Sequence, residues 1–70
     1  MTAIPDPISG HVGEVAWELR PEWLAGRYWW RIHVAGHPRV LVRHPEHGVP
    51  AAEALAADEL QHRREAGQPE

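Results

Sequence analysis

GRYWWRIHVAGHPRVLVRH, residues 26–44, is the stretch whose reading decides the fold. It holds two of the chain's four Trp and four of its seven Arg, and the chain has no Lys. Taken alternately, Tyr28, Trp30, Ile32 and Val34 fall on one side of a strand, with Trp29, Arg31 and His33 on the other. Aromatic and β-branched residues at period two predict a half-buried strand over 28–34. AGHP is turn chemistry. Residues 39–44 predict the next strand, with Pro38 just outside it, where a missing N–H is harmless.

Cross-strand partners share a face, and a buried face fixes the register. An odd loop pairs Ile32 with Val40 and Trp30 with Val42, so that one side becomes wholly apolar. An even loop would mix Arg39 and Arg43 into that side, and unpaired buried guanidiniums cost several kcal/mol each. The spacing therefore predicts the three-residue loop Ala35-Gly36-His37, with positive φ at Gly36 or His37. The opposite side then collects Trp29, Arg31, His33, Arg39, Leu41 and Arg43.

Working outward, Val15, Trp17 and Leu19 alternate with Glu14, Ala16 and Glu18, which predicts a strand over 11–19. In RPEWLAG, Pro21 suits the start of a helical turn and Gly26 its end, folding Trp23 onto the core as a lid. HPEHGVP reads as a loop. From Pro50 an Ala-rich stretch runs to Gly67 and predicts a helix. Ala52, Leu55, Ala56 and Leu60 form its apolar stripe, and Glu59 stands four residues before Arg63. Trp17 and Trp30 are core candidates, and Trp29 is expected at the surface. The expected architecture is α+β: a three-stranded antiparallel sheet packed on one C-terminal helix. Residues 1–10 read as a flexible arm, 11–66 as a single β-β-β-α domain and 67–70 as a tail.

Seventy residues make one small domain, and a core of this size rarely supplies more than roughly 3–5 kcal/mol of net stability. With no Cys there is neither a disulfide nor a thiolate metal site. MTAIPDPISG lacks a basic flank followed by an apolar run, so no signal peptide is expected. No apolar run approaches the ~20 residues of a membrane span. A cytoplasmic location is the expectation. The net charge of −3 is unevenly spread: residues 20–44 set Arg20, Arg27, Arg31, Arg39 and Arg43 against Glu22, and both flanking segments are acidic.

The Arg and Trp of the outward side suit nucleic-acid binding. Arg neutralises phosphate and reads guanine edges, and a β ribbon fits the major groove. Gly26, Trp29, Arg31, Gly36 and Arg39, followed by Ala51-Ala52-Glu53-Ala54, resemble the arm-type DNA-binding domain at the N-terminus of tyrosine recombinases. The resemblance spans residue 14 to about 64. It implies a three-stranded sheet in the major groove, backed by the C-terminal helix, in an accessory or regulatory protein of a mobile element. Binding residues on this reading are Trp29, Arg31, His33, Arg39 and Arg43, with DNA as partner. Trp and Arg are also enriched at protein hot spots. The alternative is thus a protein-interaction or inhibitor module using the same face or the acidic helix, with a homodimer among its forms.

His33 and His37 sit on a strand and its turn, and His44 and His47 flank Glu46 in a loop. Neither set supplies the four ligands of a structural zinc, so no metal is expected. One Ser, one Thr and no Cys leave no nucleophile–base pair, and no Gly-rich phosphate loop is present. Neither an enzyme nor a cofactor is expected.

Overall fold

A computed structural model describes residues 4–67. Its elements are β1 (Ile8–Val12), β2 (Val15–Leu24), β3 (Arg27–Val34), β4 (His37–Val42) and α1 (Pro45–Gly67). The strands form one antiparallel sheet in the order β1-β2-β3-β4, and α1 lies across one face. The α+β architecture with a single C-terminal helix stands, but the sheet has four strands, not three.

The extra strand comes from the stretch read as an arm. Ile8, Gly10 and Val12 alternate inward against exposed Ser9 and His11. Gly10 belongs there because it faces Trp17. A Cβ on it would lie 2.5 Å from the Trp17 ring, so the indole fills the space a side chain would take. Gly13, at φ 57°, opens a two-residue turn that pairs Val12 with Val15. The reading of 11–19 as a single strand thus covered a hairpin. Residues 1–3 lie outside the described residues, as does 68–70 of the proposed tail; Gly67 closes α1.

RPEWLAG is strand, not a helical turn. β2 continues to Leu24, and Ala25-Gly26 closes a two-residue hairpin pairing Leu24 with Arg27. Pro21 survives mid-strand for a geometric reason. Ala16 accepts a hydrogen bond from Ala35 on the β3 side, so even-numbered β2 residues aim their backbone groups at β3 and odd ones aim away. Pro21 lies past the Ile8–Leu19 pair that ends β1, so its missing N–H falls on an open edge.

The β3–β4 turn is also two residues, Ala35-Gly36, not three. Its φ values of 52° and 80° nearly repeat the 51° and 78° of Ala25-Gly26. Positive φ at both central residues matches the right-handed strand twist. Val34 therefore faces His37, and His33 faces Pro38. The register then shifts by one, and Arg31 faces Leu41 and Trp30 faces Val42. A β-bulge takes up the extra residue, so the Ile32–Val40 pairing does not form. Val40 is 57% exposed.

α1 begins five residues before Pro50. Pro45 takes the first helical position, where no N–H is needed, and the His44 carbonyl accepts from His47 and Gly48, both at 3.1 Å. Gly48 lies where the helix crosses the sheet. A Cβ there would come 2.8 Å from Val42 Cγ2 and 3.2 Å from Leu19. The core comprises Val15, Trp17, Leu19, Trp30, Ile32 and Val34 under Ala52 and Ala56, with Leu55 and Leu60 packed at its margin. Trp17 and Trp30 are buried as the alternation required, although Trp17 Nε1 has no hydrogen-bond partner among the described residues. Glu59 and Arg63 form the helical pair, 4.0 Å apart. No helix among the described residues is long and apolar enough to cross a membrane.

Ala in the left-handed region carries a steric penalty of about 1–2 kcal/mol that Asn and Gly largely avoid. Ala25→Asn, at an exposed turn, should raise stability by about 0.5–1 kcal/mol, read as a midpoint shift in urea with unchanged slope. An unchanged or lowered midpoint would contradict the turn geometry.

Candidate binding face

The sheet face turned away from α1 carries Glu18, Arg20 and Glu22 from β2, and Arg27, Trp29, Arg31 and His33 from β3. Leu41 from β4 faces Arg31, and Arg43 follows at the strand's end. Strand alternation puts these side chains on one side, because every second residue of β3 must enter the core. Four Arg, with Arg39 exposed at the bulge nearby, stand against two Glu in a chain of net charge −3. The helix acids lie on the other layer.

The structure puts Trp29, Arg31, His33 and Arg43 on this face, leaves Arg39 exposed at the bulge, and gives several of them internal partners. Arg31 faces Arg20 across β2–β3, a like-charge pairing that is unfavourable alone. Each has an acid beside it: Arg20 pairs with Glu18, and Arg31 forks onto Glu22 at 3.0 and 3.4 Å. The third Arg31 bond, from Nη1 to the Arg39 carbonyl at 2.8 Å, meets the strand at the bulge. Arg43 Nη1 donates to the Tyr28 carbonyl at 2.9 Å, just beyond the last β3–β4 pair. Its guanidinium also stands 5.6 Å from the centre of the Trp29 ring. Trp29 is half-buried rather than free, and its Nε1 donates to the Leu24 carbonyl at 3.1 Å.

Arg31 and Arg43 thus hold β4 to the sheet. Arg27 and Arg39 are exposed and make no side-chain hydrogen bond or ion pair among the described residues. Arg20 is exposed although paired, its side chain 60% accessible. His33 is half-buried and faces Glu18 across β2–β3. Sequence reasoning missed Arg20 and Arg27 as members of this face because β2 was ended at Leu19 and β3 was begun at Tyr28. Among the described residues no cluster of His, Asp and Glu is arranged to hold a metal ion. The His44 and His47 rings stand 6.1 Å apart.

The chain matches no protein-family model, no curated protein and no solved structure. Any likeness to arm-type domains rests on the residue spacing given above.

The Glu22 carboxyl is held below its ordinary value, first by the hydrogen bond from Arg31 and then by the charges of Arg31 and His33. A carboxyl lowered by folding contributes stability above its unfolded value, near about 4.3, and loses it as pH falls through the folded value. Glu22→Gln should therefore be less stable than the parent at neutral pH, and the gap should close as pH falls below the ordinary glutamate range. Thermal melts across that range check this; a gap that stays constant with pH would contradict the ion pair's role.

Proposed function

We propose that this protein binds nucleic acid, DNA in the first instance, through the sheet face that α1 leaves open. The observation that carries the reading is charge segregation. Arg20, Arg27, Arg31, Arg39 and Arg43 gather on or beside one face against Glu18 and Glu22, while the helix acids Glu53 and Asp58 lie on the far layer. Such a face attracts a polyanion despite the negative total. Arg20, Arg27 and Arg39 are the side chains exposed for phosphate or base edges. Arg31 and Arg43 act mainly by holding the face together, with His33 and the Trp29–Arg43 stack beside them. A two-stranded ribbon fits a major groove, and β2 and β3 continue as one from Arg20 to the Leu24–Arg27 pair. The arm-type resemblance favours that docking mode and the role of an accessory or regulatory protein of a mobile element.

A second reading has its own observation. Leu24, 41% exposed, and half-buried Trp29 and Leu41 lie among the Arg, and the two ion pairs reduce the field. Trp and Arg around an apolar centre suit a protein hot spot. Salt separates the two readings.

Titration of mixed-sequence duplex DNA at two salt concentrations is the test. The affinity should fall steeply with salt, and Arg27→Ala with Arg39→Ala should flatten the log–log slope by roughly 0.9 per lost phosphate contact. Both positions are exposed, so the far-ultraviolet spectrum should not change. Absence of binding at low salt would overturn the nucleic-acid reading and leave the protein partner.

A further inference from the structure

The sheet has two outer edges, β1 and β4, and they are not alike. On β4, Val34 pairs with His37 across the two-residue turn, so the next residue, Pro38, turns its backbone outward with no N–H to offer. The bulge follows at once. Proline and bulges are devices that keep an edge from pairing with another chain. Beyond Leu19 the other edge passes from β1 to β2, where Pro21 lacks the outward N–H. The ribbon there carries Trp23, read from sequence as a lid on the core but 61% exposed, its ring edge-on to Tyr28 at 4.9 Å between centroids.

β1 has none of these guards. Ile8–Val12 contains no Pro, Asp, Glu, Lys or Arg, and it pairs with β2 without a bulge. Val12 pairs with Val15 across the Gly13-Glu14 turn, so Ile8, Gly10 and Val12 bond to β2 while Ser9 and His11 turn their N–H and C=O groups to the open edge. No backbone group among the described residues meets them. A row of outward amides and carbonyls at strand spacing is matched by another strand.

We propose that this strand is β1 of a second copy of the chain, antiparallel and centred on Gly10, so that two four-stranded sheets join into one. ISGHV fits itself in this register. With Gly10 opposite Gly10, each Ser9 exchanges both backbone hydrogen bonds with His11 of the other copy, and every outward group of β1 is met. Gly10 falls on the two-fold axis in a non-hydrogen-bonded pair, where the backbones come closest, about 4.5 Å between Cα atoms. It has no side chain to hold them apart, and the Trp17 ring already fills the space above it. On the helix side Ile8 meets Val12 of the other copy, both half-buried apolar residues at the margin of their own core. On the outer side Ser9 meets His11, polar with polar. The neighbouring two-fold registers are poorer. Centring on Ser9 sets His11 against Pro7, which has no N–H, and centring on His11 sets Ser9 against Gly13, already bent into the turn at φ 57°. The nearest acids along the chain, Asp6 and Glu14, lie outside the paired segment.

The helices leave room for the join. α1 follows β2, from Leu19 beside Gly48 to Gly13 beside Leu60. In the joined sheet the two β2 strands stand three strand spacings apart, about 14 Å, whereas packed helices need roughly 8–10 Å. The axis is perpendicular to the sheet, so both helices lie on one side and both Arg-bearing faces on the other. β1 carries no Arg, so the nucleic-acid reading and this inference stand or fall separately.

Sedimentation equilibrium of the full chain, together with amide hydrogen exchange, tests it. The expected mass is twice the 7.9 kDa of one chain. The Ser9 and His11 amides should exchange slowly at concentrations where the dimer forms and lose that protection on dilution. Ser9→Pro removes an outward N–H and no bond to β2, so it should halve the mass with an unchanged far-ultraviolet spectrum. A parent chain that is monomeric at every concentration overturns the proposal and leaves the β1 edge to solvent or to a strand of another protein. A dimer whose Ser9 and His11 amides exchange rapidly, or one that Ser9→Pro leaves intact, overturns it equally, since the contact would then lie elsewhere. Should Ser9→Pro not fold, the exchange pattern of the parent chain decides alone.

Discussion

One extra residue in β4 decides which side chains this sheet buries. The Ala35-Gly36 turn pairs Val34 with His37, and an uninterrupted ladder would then set Trp30 opposite Leu41. Arg39 and Arg43 would fall on the helix side. The bulge between the His33–Pro38 and Arg31–Leu41 pairs restores Trp30 to Val42, so Val42 goes under α1 and Arg43 faces out. A bulge leaves backbone groups without ladder partners. Here the Arg39 carbonyl is met by Arg31, whose other nitrogens are fixed on Glu22 of β2. One guanidinium therefore ties β2, β3 and β4 together at the point where the pairing is irregular.

The parity of this hairpin was legible in the sequence because burying Arg39 and Arg43 is so costly; the way parity is reached was not. A three-residue loop and a two-residue loop with a bulge give the same pattern beyond the irregularity. Ala at positive φ carries no sequence signal, since Ala does not favour it. Other misreadings share a cause. Gly10, Pro21, Gly48 and Pro50 read as arm, turn, loop and helix start, but tertiary context lets each sit inside a strand or the helix. The Trp17 ring needs Gly10 beneath it, Pro21 lies on an open edge, and Gly48 lets the helix approach Leu19 and Val42. The period-two alternation of β3 and the stripe through Ala52, Leu55, Ala56 and Leu60 survived because many residues repeat the same message.

The membership of the outward face followed from alternation for Trp29, Arg31, His33 and Arg43, while Arg39 stands exposed at the bulge. What each does is set by contacts the sequence cannot encode locally. Glu22 is nine residues from Arg31, and Tyr28 is fifteen from Arg43. The cations left open to a partner are consequently a different subset, Arg20, Arg27 and Arg39, two of which entered the face only because the β2–β3 ribbon is longer than its pattern suggested. That length also strands Trp23 beyond the helix.

Cross-strand Hα–Hα nuclear Overhauser effects along β3–β4 test the register directly. The pattern should place Val34 with His37 but Trp30 with Val42, with the irregularity around Arg39 and Val40. An unbroken ladder bringing Trp30 to Leu41 would contradict the account, because Arg43 would then turn to the helix side and Val42 would leave the core face.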